Sequence, residues 1–321
     1  MLDWTDRHQR MFMRCITRRA LLYTEMVTPA NIDRDPERYL AHHEAEHPLA
    51  LQLGGGDPRA LARAARIALG YRFDEVNLNL GCPSPRVGAG AFGAVLMKRP
   101  GQAAELVAAL RDAVSVPVTV KMRIGVDDHD GEAFLLDLVG RLHEAGAGAV
   151  IVHARKAWLQ GLSPKENREV PPLRYDRVLA VKRAFPDLPV VLNGGLENLD
   201  QACAWLDRVD GVMVGRAAYQ HPHRWLAVDT RIHGDPAPST DRFHILAAHR
   251  PYLAAELARG TPLRFMARHL LPLFDGLPGA RHWRRHLSRH MHTPGADLSV
   301  IDDALAALER VHTPEGARGC R

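Results

Sequence analysis

The segment Asn77-Leu78-Asn79-Leu80-Gly81-Cys82-Pro83 brings a thiol, two carboxamides and a turn-forming proline together within a few residues. In an extended chain, alternation puts Asn77, Asn79 and Gly81 on one face and Leu78 and Leu80 on the other. Cys82 then falls just past the strand end, at the start of a loop that Pro83 stiffens. A thiol there is a competent acid near neutral pH. The competing expectation is a buried cysteine acting as a small hydrophobe, the default for a lone Cys. The loop position and polar neighbours favour chemistry.

Lys121 and Arg123 alternate with apolar residues in VTVKMR (118 to 123) and so share a face. Two cations directed into one interior are costly unless an anion or electron-rich ligand meets them. His153 and Arg155 repeat the pattern one strand later. Asn193-Gly194-Gly195 and Gly215-Arg216 end the last two strand candidates, where glycine lets backbone N–H groups approach a phosphate. Glycine also ends strands for steric reasons alone. Taken with the upstream cations, these positions describe a flat, phosphorylated cofactor, and FMN fits. Beside a reduced flavin, Lys121 and His153 would steady the negative charge at N1 and O2.

A separate basic stretch, GARHWRRHLSRH (279 to 290), carries Arg281, Arg284, Arg285 and Arg289 interleaved with His282, Trp283 and His286, and no acid occurs between Asp275 and Asp297. The arginines recur at steps of three and four, so a helix would gather them on one face. A charge run is commonly a solvated face. The enclosed aromatic and the missing acids make an RNA-binding stripe an equal alternative.

The elements that must position these groups are short apolar runs alternating with stretches of helical period: 20 to 26, 48 to 53, 75 to 80, 118 to 123, 149 to 154, 190 to 195 and 211 to 216. Helices are expected over 57 to 70, where Asp57 caps and Pro58 suits the first turn, and over 100 to 114. Every strand ends on polar or glycine residues, as the active-site rim of a (β/α)8 TIM barrel requires. No G-x-G-x-x-G opens the chain, which disfavours an open doubly wound sheet. Met1-Leu2-Asp3-Trp4 reads as a strand end running into a helix, so the chain is expected to begin after its first barrel strand. From the Pro- and Ser-containing linker DPAPST (235 to 240) onward the texture is helical, with segments near 241 to 259, 261 to 274, 279 to 292 and 298 to 312. The expected fold is α/β: a barrel over residues 1–234, then a small all-α domain over 235–321.

With 46% apolar and 25% charged residues, the 321-residue chain excludes disordered and fibrous classes. No run of 18 or more uncharged apolar residues exists, and Asp3, Asp6, Arg7 and Arg10 occupy the place of a signal peptide's apolar core. A cytoplasmic protein is expected. Cys15, Cys82, Cys203 and Cys320 form no C-x-x-C pair, so neither a disulfide framework nor a metal site is expected. The net charge of +5 is compatible with a polyanionic partner.

In this order the segments LDWTDRH (2 to 8), LLYTEMV (21 to 27), ALQLGG (50 to 55), NLNLGCPS (77 to 84), VTVKMRIG (118 to 125), HARKAWLQGLSPKENREVPPL (153 to 173), NGG (193 to 195), DGVMVGRAAYQ (210 to 220) and PGARHWRR (278 to 285) resemble the tRNA-dihydrouridine synthases, and within them the A subfamily. The similarity covers nearly the whole chain, and the long HARKAW block is its most specific part. It implies an FMN barrel followed by a helical domain that holds tRNA. NADPH would reduce the flavin, N5 would pass hydride to C6 of a flipped-out uracil, and a cysteine would protonate C5 on the other face. The resemblance puts Cys82 in that cysteine's place. It puts Gln52, Lys121, His153, Asn193, Gly195, Gly215 and Arg216 around FMN, with Gly194 joining them from the loop argument above. Asn79 would face the uracil, and Lys165, Arg168, Arg281 and Arg284 would contact tRNA. D-loop positions 20 and 20a are the implied targets, with no membrane partner and a monomer as the working expectation. One departure is visible: the family's Ala-Pro-Met strand end before LDWTDRH is represented by Met1 alone.

Two other readings remain open at this level. A small-molecule flavin-barrel reductase of dihydroorotate-dehydrogenase type would share fold and cofactor without needing the helical tail. A non-catalytic tRNA-binding protein would leave the polar strand ends without a use.

Overall fold

A computed structural model describes residues 1–83 and 92–312; Ser84 and Pro85 of the NLNLGCPSP segment, and Cys320, lie outside the described residues. The chain forms two compact units, one from Met1–Asp3 and Leu21–Gly215, the other from Trp4–Ala20 and Arg216–Arg321.

The first unit is built on seven parallel strands hydrogen-bonded in sequence order: β1 (Leu22–Val27), β2 (Leu49–Leu53), β3 (Glu75–Asn79), β4 (Val118–Arg123), β5 (Ala149–His153), β6 (Val190–Asn193) and β7 (Gly211–Met213). This is the curled parallel sheet of a (β/α)8 barrel with helices between its strands, and each strand falls where apolar alternation placed one. The intervening helices begin as local chemistry dictates. Asp57 accepts the backbone N–H groups of Arg59 (2.8 Å) and Ala60 (3.3 Å) at the start of Pro58–Leu69. Pro100 opens Pro100–Arg111.

The two faces of each strand do different work. On β3 and β4, Val76, Leu78, Val118, Val120 and Met122 join the core that includes Leu61, Leu106, Leu110 and Leu135 from the helices. Each fully buried leucine of that kind contributes about 1.5–3 kcal/mol. The opposite face carries Glu75, Asn77, Asn79, Thr119, Lys121 and Arg123, and three of these strands align Gln52 with Asn77, Asn77 with Thr119 and Asn79 with Lys121. The barrel is therefore filled with polar side chains in its β2–β4 sector.

The second unit is helical, with Arg7–Arg14, Arg242–Ala258, Leu263–Ala267, Ala280–His290 and Ser299–His312 as its main helices. Its extent differs from the expected 235–321: it begins at Arg216 and takes in residues 4–20. The physical reason lies in two buried carboxylates. Asp229, fully buried, accepts from the Thr17 hydroxyl and from the backbone N–H of Arg18 at 2.6 Å. Glu256, 1% exposed, accepts from Arg7, from Arg259 at 2.8 Å and from the Thr261 hydroxyl at 2.9 Å. A buried carboxylate without such donors would be strongly destabilising, so the N-terminal segment is an integral part of this unit.

Candidate active site

Cys82 sits directly beyond β3, half-buried and unpaired with any other cysteine. Its backbone is held on both sides: its N–H donates to the Asn79 side-chain oxygen at 3.0 Å and its carbonyl accepts from Ala94 at 3.0 Å. Gly81 donates to the same Asn79 oxygen at 3.0 Å. The loop start is thus clamped by the strand residue that alternation placed on the interior face.

The two cations of β4 part company. Arg123 is 4% exposed and donates to three carbonyls, those of Gly81 (2.9 Å), Lys156 (3.0 Å) and Asn167 (2.9 Å). Burial lowers its pKa to about 10. The shared-face expectation of two cations meeting one ligand is corrected here, because the guanidinium is absorbed by loop backbone. Lys121 has no hydrogen-bond partner among the described residues. Burial pulls its ammonium down to about 8, Arg123 pushes the same way, and Cys82 opposes them. A half-buried ammonium, still protonated near neutral pH and with no hydrogen-bond partner among the described residues, is a fitting partner for an electron-rich ring atom or an anion.

The glycine positions fit a close approach, but their nearest neighbours are protein. Gly194 (φ +110°) and Gly195 (φ +74°) lie in the left-handed region, and a Cβ there would meet His153 at 2.5 Å and the Tyr175 hydroxyl at 2.5 Å respectively. Tyr175 donates to the Gly194 carbonyl at 2.9 Å. Asn193 gives its side-chain N–H to the Met213 carbonyl at 2.8 Å, tying β6 to β7. Gly215 closes the first unit, with only the Met1 sulfur, at 3.4 Å, near its missing Cβ. Arg216 opens the short helix Arg216–Gln220 in the second unit. Gln52, Asn79, Lys121, His153, Asn193, Gly194, Gly195 and Gly215 all lie in the C-terminal halves of strands of the first unit or in the loops directly after them.

The loop after β5 has a built interior that spacing did not reveal. Asn167, fully buried, accepts from the Trp158 N–H at 2.7 Å and donates to the Trp158 carbonyl at 2.9 Å and the Leu162 carbonyl at 3.2 Å. It displays Lys165 and Arg168 on its exposed side. Lys156 lies 4.1 Å from the Trp158 ring centroid and 2.8 Å from Asp130. Among the described residues no group of three or more His, Cys, Asp or Glu is arranged to hold a metal ion.

On the helix Ala280–His290, Arg281, Arg284, Arg285 and Arg289 are all exposed, and Arg284 pairs with Asp275. Trp283 is fully buried, its indole N–H donating to the Leu270 carbonyl at 3.1 Å and its ring edge-on to Phe274 at 4.8 Å. The aromatic inside the charge run is therefore core, which removes it as a base-stacking platform. The arginine face stands without it.

The chain matches the family Dihydrouridine synthase (Dus) over residues 1–309 and belongs to it. It is 53% identical to the tRNA-dihydrouridine(20/20a) synthase of Escherichia coli (strain K12) over 306 residues, 95% of this chain and 89% of that one. It is 50% identical to the enzyme so named from Vibrio parahaemolyticus over 311 residues, 97% and 95% of the two chains. The Yersinia pestis relative of that name is 52% identical over 309 residues, 96% and 90%. No helix among the described residues is long and apolar enough to cross a membrane.

Proposed function

We propose that this chain reduces uridine to 5,6-dihydrouridine in the D-loop of tRNA, at positions 20 and 20a, using FMN recharged by NADPH, with Cys82 as the proton donor. Dihydrouridine synthases are flavin-dependent, and bound FMN would supply the hydride to C6 of the pyrimidine. The observation that carries the reading is the pairing of a clamped, half-buried thiol at the β3 end with the unpartnered Lys121 ammonium on the next strand.

In this reading Lys121 and His153 stabilise negative charge on the flavin pyrimidine edge, while the backbone of Gly194, Gly195 and Gly215 together with Arg216 takes the phosphate. Gln52 and Asn193 border the ring system. Asn79 holds the Cys82 backbone so that its thiol proton reaches C5 from the face opposite the hydride. The uracil has to leave its stack to enter a barrel mouth. Lys165, Arg168, Arg281 and Arg284 contact the tRNA backbone.

Single-turnover assays on the flavin-reduced protein with undermodified tRNA test the assignment. Cys82→Ala should retain bound flavin and lose uridine reduction; unchanged reduction would remove the proton-donor role. Arg281→Glu with Arg284→Glu should weaken activity on tRNA and flatten its salt dependence, whereas a small-molecule reductase would be indifferent to both.

A further inference from the structure

A single hydrogen-bond chain runs through the barrel from the Cys82 loop to Glu75, and every link points the same way. The Cys82 and Gly81 N–H groups donate to Asn79 Oδ1, both at 3.0 Å. Asn79 Nδ2 donates to Gln52 Oε1 at 2.8 Å, and Gln52 Nε2 donates to Asn77 Oδ1 at 2.9 Å. Asn77 Nδ2 donates to Thr119 Oγ1 at 2.8 Å, and the Thr119 hydroxyl donates to Glu75 Oε1 at 2.5 Å. Tyr23 adds a second donor to the same Glu75 oxygen at 2.8 Å.

The two ends fix this direction. Backbone N–H groups can only donate, and Glu75 Oε1 accepts from both the Thr119 and the Tyr23 hydroxyls, which oppose the rise that burial gives the Glu75 pKa. Each amide between them, facing a donor on one side and an acceptor on the other, is left with one orientation. Glu75, Asn77, Gln52 and Thr119 are all 9% exposed or less, so water does not offer alternatives. Each such bond adds little net stability, less than a buried leucine would. The value of the chain lies in orientation.

We propose that Glu75 is a positioning residue for the reaction at Cys82, acting through Thr119, Asn77 and Gln52 to lock the Asn79 carboxamide with its oxygen on the Cys82 loop. The inference rests on the assignment of Cys82 as proton donor. Without the acceptor at its far end the Thr119 hydroxyl can turn back to donate to Asn77, which works against the Asn77, Gln52 and Asn79 orientation that the Gly81 and Cys82 N–H groups then hold alone, so the loop start is held less tightly.

The test is a double-mutant cycle on the full-length, flavin-loaded protein, read as the single-turnover rate of uridine reduction at saturating tRNA. Glu75→Leu should slow that rate about tenfold or more, with flavin content kept and the apparent KM for tRNA little changed. Glu75→Gln still offers an oxygen to Thr119 and Tyr23 and should restore most of the rate. In an Asn79→Ala background, Glu75→Leu should have no further effect, because the two act in series. Additive losses, or a Glu75→Gln variant as slow as Glu75→Leu, would overturn the proposal. If Glu75→Leu does not fold, Thr119→Val breaks the last two links with little change of shape and takes its place in the same cycle. Cys82→Ala run alongside separates the two ideas: normal reduction by that variant refutes the proton donor, whereas its loss beside an additive cycle refutes only the role of Glu75.

Discussion

The Nε–H of Arg123 donates to the carbonyl of Gly81 at 2.9 Å, so a buried guanidinium holds the residue immediately before Cys82. Through its bonds to Lys156 and Asn167, the same side chain fixes the loop that displays Lys165 and Arg168.

Arg123→Lys should therefore be far from conservative, because one ammonium cannot reproduce a planar fork reaching three carbonyls. Two lost charge-assisted bonds correspond to about 3 kcal/mol or more of stability. Thermal denaturation of the apo-protein should show a drop of several degrees, and limited proteolysis should find new cleavage between 156 and 168.

Lys121 gives opposite signs for stability and for flavin binding. Its folded pKa of about 8 lies below its ordinary value of 10.5, so between those pH values the unfolded chain binds more protons than the folded one. Apo-protein stability from this group therefore rises with pH across that window. Lys121→Met should raise the apo Tm at pH 7 and lower flavin affinity. In the unaltered protein, flavin affinity should decline as pH rises above about 8, where the free ammonium loses its proton. Fluorescence titration with FMN at pH 7 and 9 checks the second point, and melting of both proteins checks the first.

The helical unit should be acid-sensitive through two imidazoles, the buried His249 and the half-buried His8. Burial lowers His249 to about 3 and His8 to about 4, with the neighbouring Asp6 opposing the shift at His8. Both pKa values lie below the ordinary 6.5, so the stability these neutral rings carry is complete above pH 6.5 and is lost as pH falls towards 4 and below. His249 meets Phe12 edge-on at 5.6 Å. His249→Phe should thus reduce the loss of Tm between pH 7 and 5; an undiminished loss would assign the acid sensitivity elsewhere.

The two arginines proposed to meet RNA should not be equivalent. Arg284 is held by Asp275, so a phosphate must compete with that carboxylate. Arg281→Ala should lower tRNA affinity more than Arg284→Ala. It should also reduce the slope of log affinity against log salt by about 0.7–0.9, the share of one phosphate contact. Filter binding at several salt concentrations measures both.

How much of this was legible from sequence depends on how local each cause is. The period of two in NLNL and VTVKMR placed Asn79, Cys82 and Lys121 correctly, because a strand's alternation is a property of the strand itself. Arg123 was misjudged because the carbonyls that absorb it belong to residues 156 and 167, brought in by a loop with no periodic signal. Trp283 was misread although a signal existed: Ala280, Trp283, Leu287 and Met291 recur at helical spacing and form the buried side of their helix. The one-way chain to Glu75 was partly visible, since Glu75 shares the face of Asn77 and Asn79. That Tyr23, Gln52 and Thr119 would complete it follows only from the register of neighbouring strands.

The bond between Thr17 and Asp229 spans 212 residues. During synthesis the helix Arg7–Arg14 leaves the ribosome well before Asp229 and must wait for its partners. At about 5–20 residues per second that wait is roughly 10–40 s. For that time its apolar side, including Phe12 and Met13, has no finished surface to join. The segment around Thr17 is thus made early and docked late in the life of each nascent chain.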